Sequence, residues 1–229
     1  MQKSQGEVFV FTDADCRFET TCLSALNSAL LEFPQHKFFQ LHLISDNSTL
    51  VGRSEDLRLT ALQKHLLQPD GRIRYLNTAG FAARRICVAS QELFDPVALR
   101  GEDTLLLVNL TQEGEIPTFL PKATVQHQVR LSLSQCLRKD MKAAWLEAKT
   151  FHLIASKGLR TRMGNRERLQ MLRLTWGIAS QASIGRTAWF FLIVRQAIQR
   201  VISAIYRIGR IGSSEKRTAK TSIRTKSLF

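Results

Sequence analysis

The first half of the chain alternates between short apolar runs and longer stretches with helical spacing. Residues 7–12 and 38–45 are runs of apolar and aromatic side chains, which predict buried strands. Residues 19–33, 54–67 and 101–113 repeat apolar side chains on one helix face, which predicts three helices. Because strands and helices alternate, this half is expected to form a layered α/β domain.

Smaller elements follow from the residues that interrupt these patterns. Short strands are expected around Gly80–Ala83, over 116–120 and over 123–127, with Pro121 separating the last two. Ser54 is expected to be the N-cap of the second helix, since its hydroxyl can accept a hydrogen bond from the first turn.

The second half of the chain has a different pattern. Residues 131–208 are helical in spacing almost throughout, and residues 209–229 are polar, basic and expected to be disordered. The chain is therefore expected to divide into an α/β domain over 1–130, a helical region over 131–208 and a tail over 209–229.

Positive charge is concentrated in this second half. Residues 1–129 carry 12 Lys and Arg against 15 Asp and Glu, a net charge of −3, and residues 130–229 carry 21 against 4, a net charge of +17, which together give +14. Such a region attracts anionic lipid, phosphorylated substrates or nucleic acid. Its aromatic residues cluster with aliphatic ones and no nucleic-acid motif is recognisable, so nucleic acid is not expected as a partner.

Two pairs of carboxylates are placed for chemistry. Asp13 and Asp15 follow the first strand and point the same way in extended geometry. Ligands bind beyond the carboxyl ends of strands in open α/β sheets, and paired carboxylates there suit Mg²⁺ or Mn²⁺ shared with phosphates. Glu102 and Asp103 open the third helix, where an ionised carboxylate can act as a general base. A solvated turn and ordinary helix capping are the alternatives.

Taken in order, five segments resemble the motifs of family 2 inverting glycosyltransferases, which have the Rossmann-like GT-A fold. VFVFTDADC resembles the strand and Asp-x-Asp motif, and NTAGFAARR resembles the acceptor-side strand. LRGEDTLLLVNLTQEG resembles the Glu-Asp helix, and FLPKATVQHQV resembles the strand after it. LSLSQCLRKDMKAAW resembles a basic helix found in members acting on bacterial polysaccharides. The resemblance covers about residues 7–150.

The resemblance implies transfer of a sugar, with inversion, from a nucleotide-diphospho-sugar to a saccharide or lipid-linked saccharide. The expected setting is the synthesis of a cell-surface or extracellular polysaccharide. By the resemblance, Asp15 with Asp13 holds Mg²⁺ or Mn²⁺ on the donor diphosphate. Asp103 is then the general base that deprotonates the acceptor, and Glu102 positions the acceptor or the helix.

Three basic residues are further candidates by the same resemblance. His127 is expected to contact the metal or the diphosphate, with packing in the core as the alternative. Arg84 and Arg85 are expected to contact phosphates, with a surface pair as the alternative.

The chain departs from the family pattern at its N-terminus. The family normally begins with strands that hold the nucleotide base, and this sequence begins at what corresponds to about the fourth strand. Residues 1–130 are therefore expected to be the C-terminal part of a GT-A core, with an unpaired sheet edge. Two other functions stay open, a truncated non-catalytic relative and a basic module that binds membrane or nucleic acid.

Residues 187–206 predict a helix that lies on a membrane surface. Arg195 and Arg200 interrupt the apolar run, and Thr187–Val194 is shorter than the ~20 residues needed to cross a bilayer. Together with Arg186, Arg207 and Arg210, these arginines are expected to face lipid headgroups. Packing of the helix on the domain or on a partner is one alternative, and a full membrane span is another.

The expected location is the cytoplasm, at the inner face of the plasma membrane. No Cys-x-x-Cys pair occurs among the cysteines, which predicts reduced thiols. The first residues lack the apolar stretch of a secretory signal.

Overall fold

The computed structural model describes residues 5–88, 93–94, 100–156, 165–181 and 185–226, and over these the protein is a mixed α/β structure. The strands are β1 (Val8–Phe11), β2 (Cys16–Phe18), β3 (Phe38–Ser45), β4 (Phe81–Arg84) and β5 (Thr118–His127). The helices are α1 (Cys22–Glu32), α2 (Leu50–Leu66), α3 (Arg85–Val88), α4 (Glu102–Gln112), α5 (Leu133–Ser156), α6 (Asn165–Ser180) and α7 (Gly185–Lys226). The predicted α/β class is thus confirmed.

The sheet has the strand order β1-β4-β3-β5-β2. β3 pairs in parallel with β5 and antiparallel with β4, while β4 pairs antiparallel with β1. It follows that β1, β3 and β5 all run in the same direction and end at the same edge of the sheet. The segments that follow β1 and β5 are therefore brought together there.

β5 is one strand where the sequence predicted two. Between Leu41 and His42 on β3, the partner on β5 moves from Leu120 to Thr124. Pro121 lies at this irregularity and has no N–H to donate to a ladder, so the pairing is interrupted locally while the strand continues.

The core forms on both faces of the sheet. Phe39, Leu41 and Leu43 of β3 pack with α1 and α2 on one face. Phe38 packs on the other face, with Leu106 and residues of β4 and α4. This alternation follows from the two-residue period of a strand, and it places α1 and α4 on opposite faces.

Helix α2 starts four residues earlier than predicted. Thr49 is the N-cap and its hydroxyl accepts a hydrogen bond of 3.0 Å from the Gly52 amide. A Cβ at Gly52 would lie 1.7 Å from the Asp46 carbonyl oxygen, so this start requires glycine. Ser54 lies inside the helix, fully buried, and donates 2.8 Å to the Val51 carbonyl. The hydroxyls of Thr49 and Ser54 can each cap a helix. The helix begins after Thr49 because the chain approaches itself closely at Gly52.

The helical half packs against α2. Leu57 of α2 lies in a buried cluster with Ala179 of α6 and with Ala188 and Leu192 of α7. The backbone of α7 remains helical through most of the stretch expected to be disordered, as far as Lys226. No proline interrupts that stretch, so its composition permits a helix. Parts of the predicted helical region, 157–164 and 182–184, lie outside the described residues, as do 227–229.

All four cysteines lie in the described part of the chain and are free thiols, as the sequence predicted. Cys22 and Cys136 are buried, while Cys16 and Cys87 are partly exposed.

Candidate active site

A cleft of about 740 Å³ lies at the sheet edge where β1 and β5 end. Asp13 and Asp15 line it, and so do Glu102, Asp103 and His127. Residues of α2, α5 and α7 complete its walls. Its volume is in the range of small-molecule sites in proteins. The two acidic pairs, which are distant in the sequence, therefore face one cleft.

A tight turn between β1 and β2 presents the first acidic pair. The Asp13 carbonyl accepts 3.1 Å from the Cys16 amide, and Cys16 pairs with His127 across β2 and β5. His127 Nε2 lies 3.2 Å from Asp15 Oδ2, and the Asp15 side chain is 52% exposed. His127 therefore contacts Asp15, and the Asp15 carboxylate remains half exposed on the cleft wall.

The second acidic pair lies in the first turn of α4. The preceding residue, Gly101, has φ 80°, a left-handed conformation that favours glycine and turns the chain into the helix. Asp103 Oδ1 accepts two hydrogen bonds from Thr78, 2.8 Å from Oγ1 and 3.3 Å from the amide. No hydrogen bond to Oδ2 is present among the described residues. Thr78 therefore holds Oδ1 of Asp103, and Oδ2 is available to accept a proton or a hydrogen bond from a ligand.

The environment of Asp103 makes it a base suited to neutral pH. Burial raises its pKa, the hydrogen bonds from Thr78 lower it, and the charges of Glu102 and Asp13 raise it further, to about 6. A base with a pKa just below the working pH is ionised and still accepts a proton.

Tyr75 also lines the cleft but is unsuited to be a base. Its hydroxyl is buried and has no hydrogen-bond partner of normal geometry among the described residues, although the Asn77 side chain is near enough to lower the pKa. Burial dominates and raises the pKa of Tyr75 to about 12. The phenol therefore stays protonated at neutral pH and is not available as a base.

Arg84 and Arg85 do not line the cleft, contrary to the expected contact with phosphates. Arg84 donates 2.8 Å from Nη2 to the Leu30 carbonyl and 2.8 Å from Nε to the His36 carbonyl, which holds the chain that leaves α1. Arg85 donates 2.6 Å to the Gly6 carbonyl, and its guanidinium lies 4.7 Å from the Phe9 ring centre. Both therefore have structural roles on the far part of the sheet.

A buried ionic network on the cleft wall was missed by sequence reasoning. Arg195 of α7 donates 2.6 Å from Nε and 3.1 Å from Nη2 to the two oxygens of Asp140 in α5. Its Nη1 donates 3.0 Å to Ser54 and 3.3 Å to Glu55, both in α2. Arg58 donates 2.5 Å to the other oxygen of Glu55. Arg195 was expected to face lipid headgroups, and instead it joins three helices.

This network keeps Glu55 ionised. Burial by itself would raise the pKa of Glu55, but the charge and hydrogen bonds of Arg58, together with the charge of Arg195, lower it to about 2. In the sequence, the only indication of this network was the charge of Arg195 in the middle of an apolar run. A charge at such a position requires either an ionic partner or contact with solvent.

The acidic turn can hold a divalent cation only together with oxygens from a bound ligand. The described residues contain no group of three or more His, Cys, Asp or Glu side chains that could hold a metal by themselves. Mg²⁺, however, is commonly held by one or two carboxylates together with substrate phosphates. Asp13 and Asp15 on the wall of a cleft match that arrangement. The residues present therefore fit a cation shared with a bound diphosphate.

Comparisons with protein families and with curated proteins gave no match to this chain. The cleft and its side chains are therefore the basis for assigning a function.

Proposed function

We propose that this chain is the catalytic core of an inverting glycosyltransferase, which moves a sugar from a nucleotide-diphospho-sugar to a hydroxyl acceptor. The observation that carries the proposal is the common cleft of the Asp13–Asp15 turn and the start of α4. One pair is suited to the diphosphate of the donor, and the other contains a base with a pKa of about 6. The resemblance to family 2 sequences supports the same assignment, and the proposed setting is polysaccharide synthesis.

The transfer step depends on Asp103. Its Oδ2, which accepts no hydrogen bond from the described residues, takes the proton of the acceptor hydroxyl while Thr78 holds Oδ1 in place. The acceptor oxygen forms a bond to the anomeric carbon, and the bond from that carbon to the diphosphate breaks, with the electron pair leaving on the diphosphate. Attack from the face opposite the leaving group inverts the configuration, through a transition state with oxocarbenium character.

The Asp13–Asp15 turn acts on the other side of the sugar. A cation bound there would neutralise charge on the departing diphosphate. Asp15 and Asp13 would supply oxygen ligands to it, and the contact of 3.2 Å between His127 and Asp15 orients the Asp15 carboxylate. Glu102 lines the cleft next to Asp103 and is assigned to acceptor positioning.

Turnover should require a divalent cation and the Asp15 carboxylate. We expect release of nucleoside diphosphate from a panel of UDP-, GDP- and dTDP-sugars in Mn²⁺ or Mg²⁺, and loss of release after chelation by EDTA. Asp15→Asn should lower the rate by about 10²-fold, the order of effect of losing one strong electrostatic contact. The matched control is Asp70→Asn, an exposed carboxylate in the turn after α2, which should leave the rate unchanged. Equal rates in the two variants would contradict the assignment of Asp15.

The rate should rise with pH through about 6. Because the proposed base must be ionised, a pKa of about 6 predicts a low rate at pH 5, half of the maximum near pH 6 and a plateau above pH 7. The measurement is the initial rate across this range with saturating cation. A rate that is flat between pH 5 and pH 7 would show that Asp103 is not the group that accepts the proton.

A further inference from the structure

Helix α7 has two faces with different surroundings. Ala188, Leu192 and Arg195 are buried against the rest of the protein. The outer face consists of Phe190, Val194, Val201, Ile205 and Ile208, whose exposed fractions range from 36% to 70%. Successive members of this set are separated by three, four or seven residues, so they lie on one side of the helix. The outer face is therefore an apolar strip about 27 Å long.

This helix is not placed to cross a membrane. Among the described residues, one segment, Gly185–Tyr206, is long and apolar enough to span a bilayer, with a mean hydropathy of 1.3. Near its middle, however, Arg195 bonds to Asp140 and Glu55, and it is 8% exposed. A spanning orientation would break these bonds and put an unpaired arginine in hydrocarbon. The inner face of α7 packs against the rest of the protein, and the outer face remains available for binding.

Positive charge borders the strip. Arg186 and Arg200 are both exposed on α7, and the chain from residue 130 onward carries the excess of cations described above. Trp145 of α5 packs edge-on against Tyr206 of α7, at 4.7 Å between ring centres, and is 45% exposed. Apolar and aromatic side chains flanked by arginines are the composition of helices that lie in the interface of anionic membranes.

We propose that the outer face of α7 is a docking surface for an anionic lipid bilayer, on which the helix lies parallel to the membrane. Charge complementarity and the long, narrow shape of the apolar strip both favour an anionic bilayer as the occupant of this surface.

The opposite face of the same helix belongs to the cleft. Leu192, Arg195, Gln196 and Gln199 line it. An α-helix with its side chains is about 10–12 Å across, so a docked membrane would lie about one helix diameter from the cleft. If the proposed function holds, an acceptor carried on a lipid could reach Asp103 from the membrane surface.

The test is co-sedimentation of the full chain with vesicles of phosphatidylcholine containing about 30% phosphatidylglycerol. We expect binding that weakens on going from about 0.05 M to about 0.5 M salt, because the attraction is partly electrostatic. Val201→Ser with Ile205→Ser should weaken partitioning about tenfold or more, through lost apolar burial. Arg186→Glu with Arg200→Glu should also weaken it about tenfold or more. Alkaline carbonate should release the bound protein, as for a helix that does not cross the bilayer.

The matched control replaces two apolar residues on other surfaces, Leu31→Ser with Ile86→Ser, which are 75% and 80% exposed on α1 and α3. This variant should bind vesicles like the wild type. Equal losses in the control and in the α7 variants would overturn the proposal, and so would retention after carbonate extraction. A wild-type dimer that the Val201 and Ile205 changes dissociate, with no binding to vesicles, would assign the strip to a second copy instead. Binding is measured without donor or metal, so its failure is separate from a failure of the proposed transfer.

Discussion

Asp103→Asn is expected to lower the rate of sugar transfer by about 10²–10⁴-fold, the range for loss of a general base. Asparagine keeps an oxygen that can accept the hydrogen bonds from Thr78 Oγ1 and the Thr78 amide, now 2.8 and 3.3 Å long. It cannot take a proton from the acceptor. The measurement is the initial rate with saturating donor and cation at pH 7.5.

The same change should leave the melting temperature at pH 7.5 equal to or higher than that of the wild type. The pKa of Asp103 rises from 3.8 to about 6 on folding, so between these pH values the folded state holds a proton that the unfolded state releases. Stability contributed by this group therefore falls as the pH rises towards about 6, and the cost persists at neutral pH. A neutral side chain removes that cost. Lost activity combined with retained stability is the signature of a residue kept for chemistry.

Glu113→Gln is the control for Asp103, because Glu113 is an exposed carboxylate at the opposite end of α4. Its rate should match that of the wild type. If Asp103→Asn transferred sugar at the same rate as Glu113→Gln, another group would have to accept the proton.

Arg195→Ala is expected to lower the free energy of unfolding by about 3–5 kcal/mol, the usual loss when one partner of a buried ion pair is removed. The variant would leave Asp140 buried, 6% exposed, without its partner, and would remove one of the two cations that hold Glu55. For a chain of this size the corresponding fall in melting temperature is about 6–20 °C. Thermal unfolding followed by circular dichroism measures it.

Two further variants separate the ion pair from the arginine itself. Arg195→Met with Asp140→Leu removes both charges and should recover much of the lost stability, because no buried charge is left without a partner in that pair. Arg200→Ala, at an exposed position five residues along α7, should change the free energy of unfolding by about 0.5 kcal/mol or less. A loss in Arg195→Ala no larger than in Arg200→Ala would mean that the network does not hold the three helices together.

Local sequence patterns predicted helices and strands well where a single local preference determined the element. The run over 38–45 coincides with β3, and the stretch predicted over 101–113 contains α4. The start of α2 was misplaced because two hydroxyl residues can each cap a helix, and the choice depends on the contact between Gly52 and Asp46. Such a contact is set by how the chain packs and leaves no trace in the local pattern.

Some residues of the candidate site could likewise be predicted from the sequence, and others could not. The positions of Asp13, Asp15, Glu102 and Asp103 could be taken from sequence, because carboxylates after a strand and at a helix start point to definite edges of an α/β fold. Thr78 could not, since its role appears only when the turn before β4 meets the start of α4. Arg84 was misjudged because a surface arginine and one that binds carbonyl groups look alike in a sequence.

The amino-acid sequence was sufficient for the class of fold, for the places where acidic side chains follow a strand or open a helix, and for the amphipathic character of α7. These depend on periodicity and on residues close together in the chain. Tertiary structure decided which side chains meet: Arg195 with Ser54, 141 positions away, and Thr78 with Asp103, 25 positions away. The physical reason is that a buried charge or hydroxyl must find a partner, and which partner it finds depends on how helices and strands distant in sequence pack together.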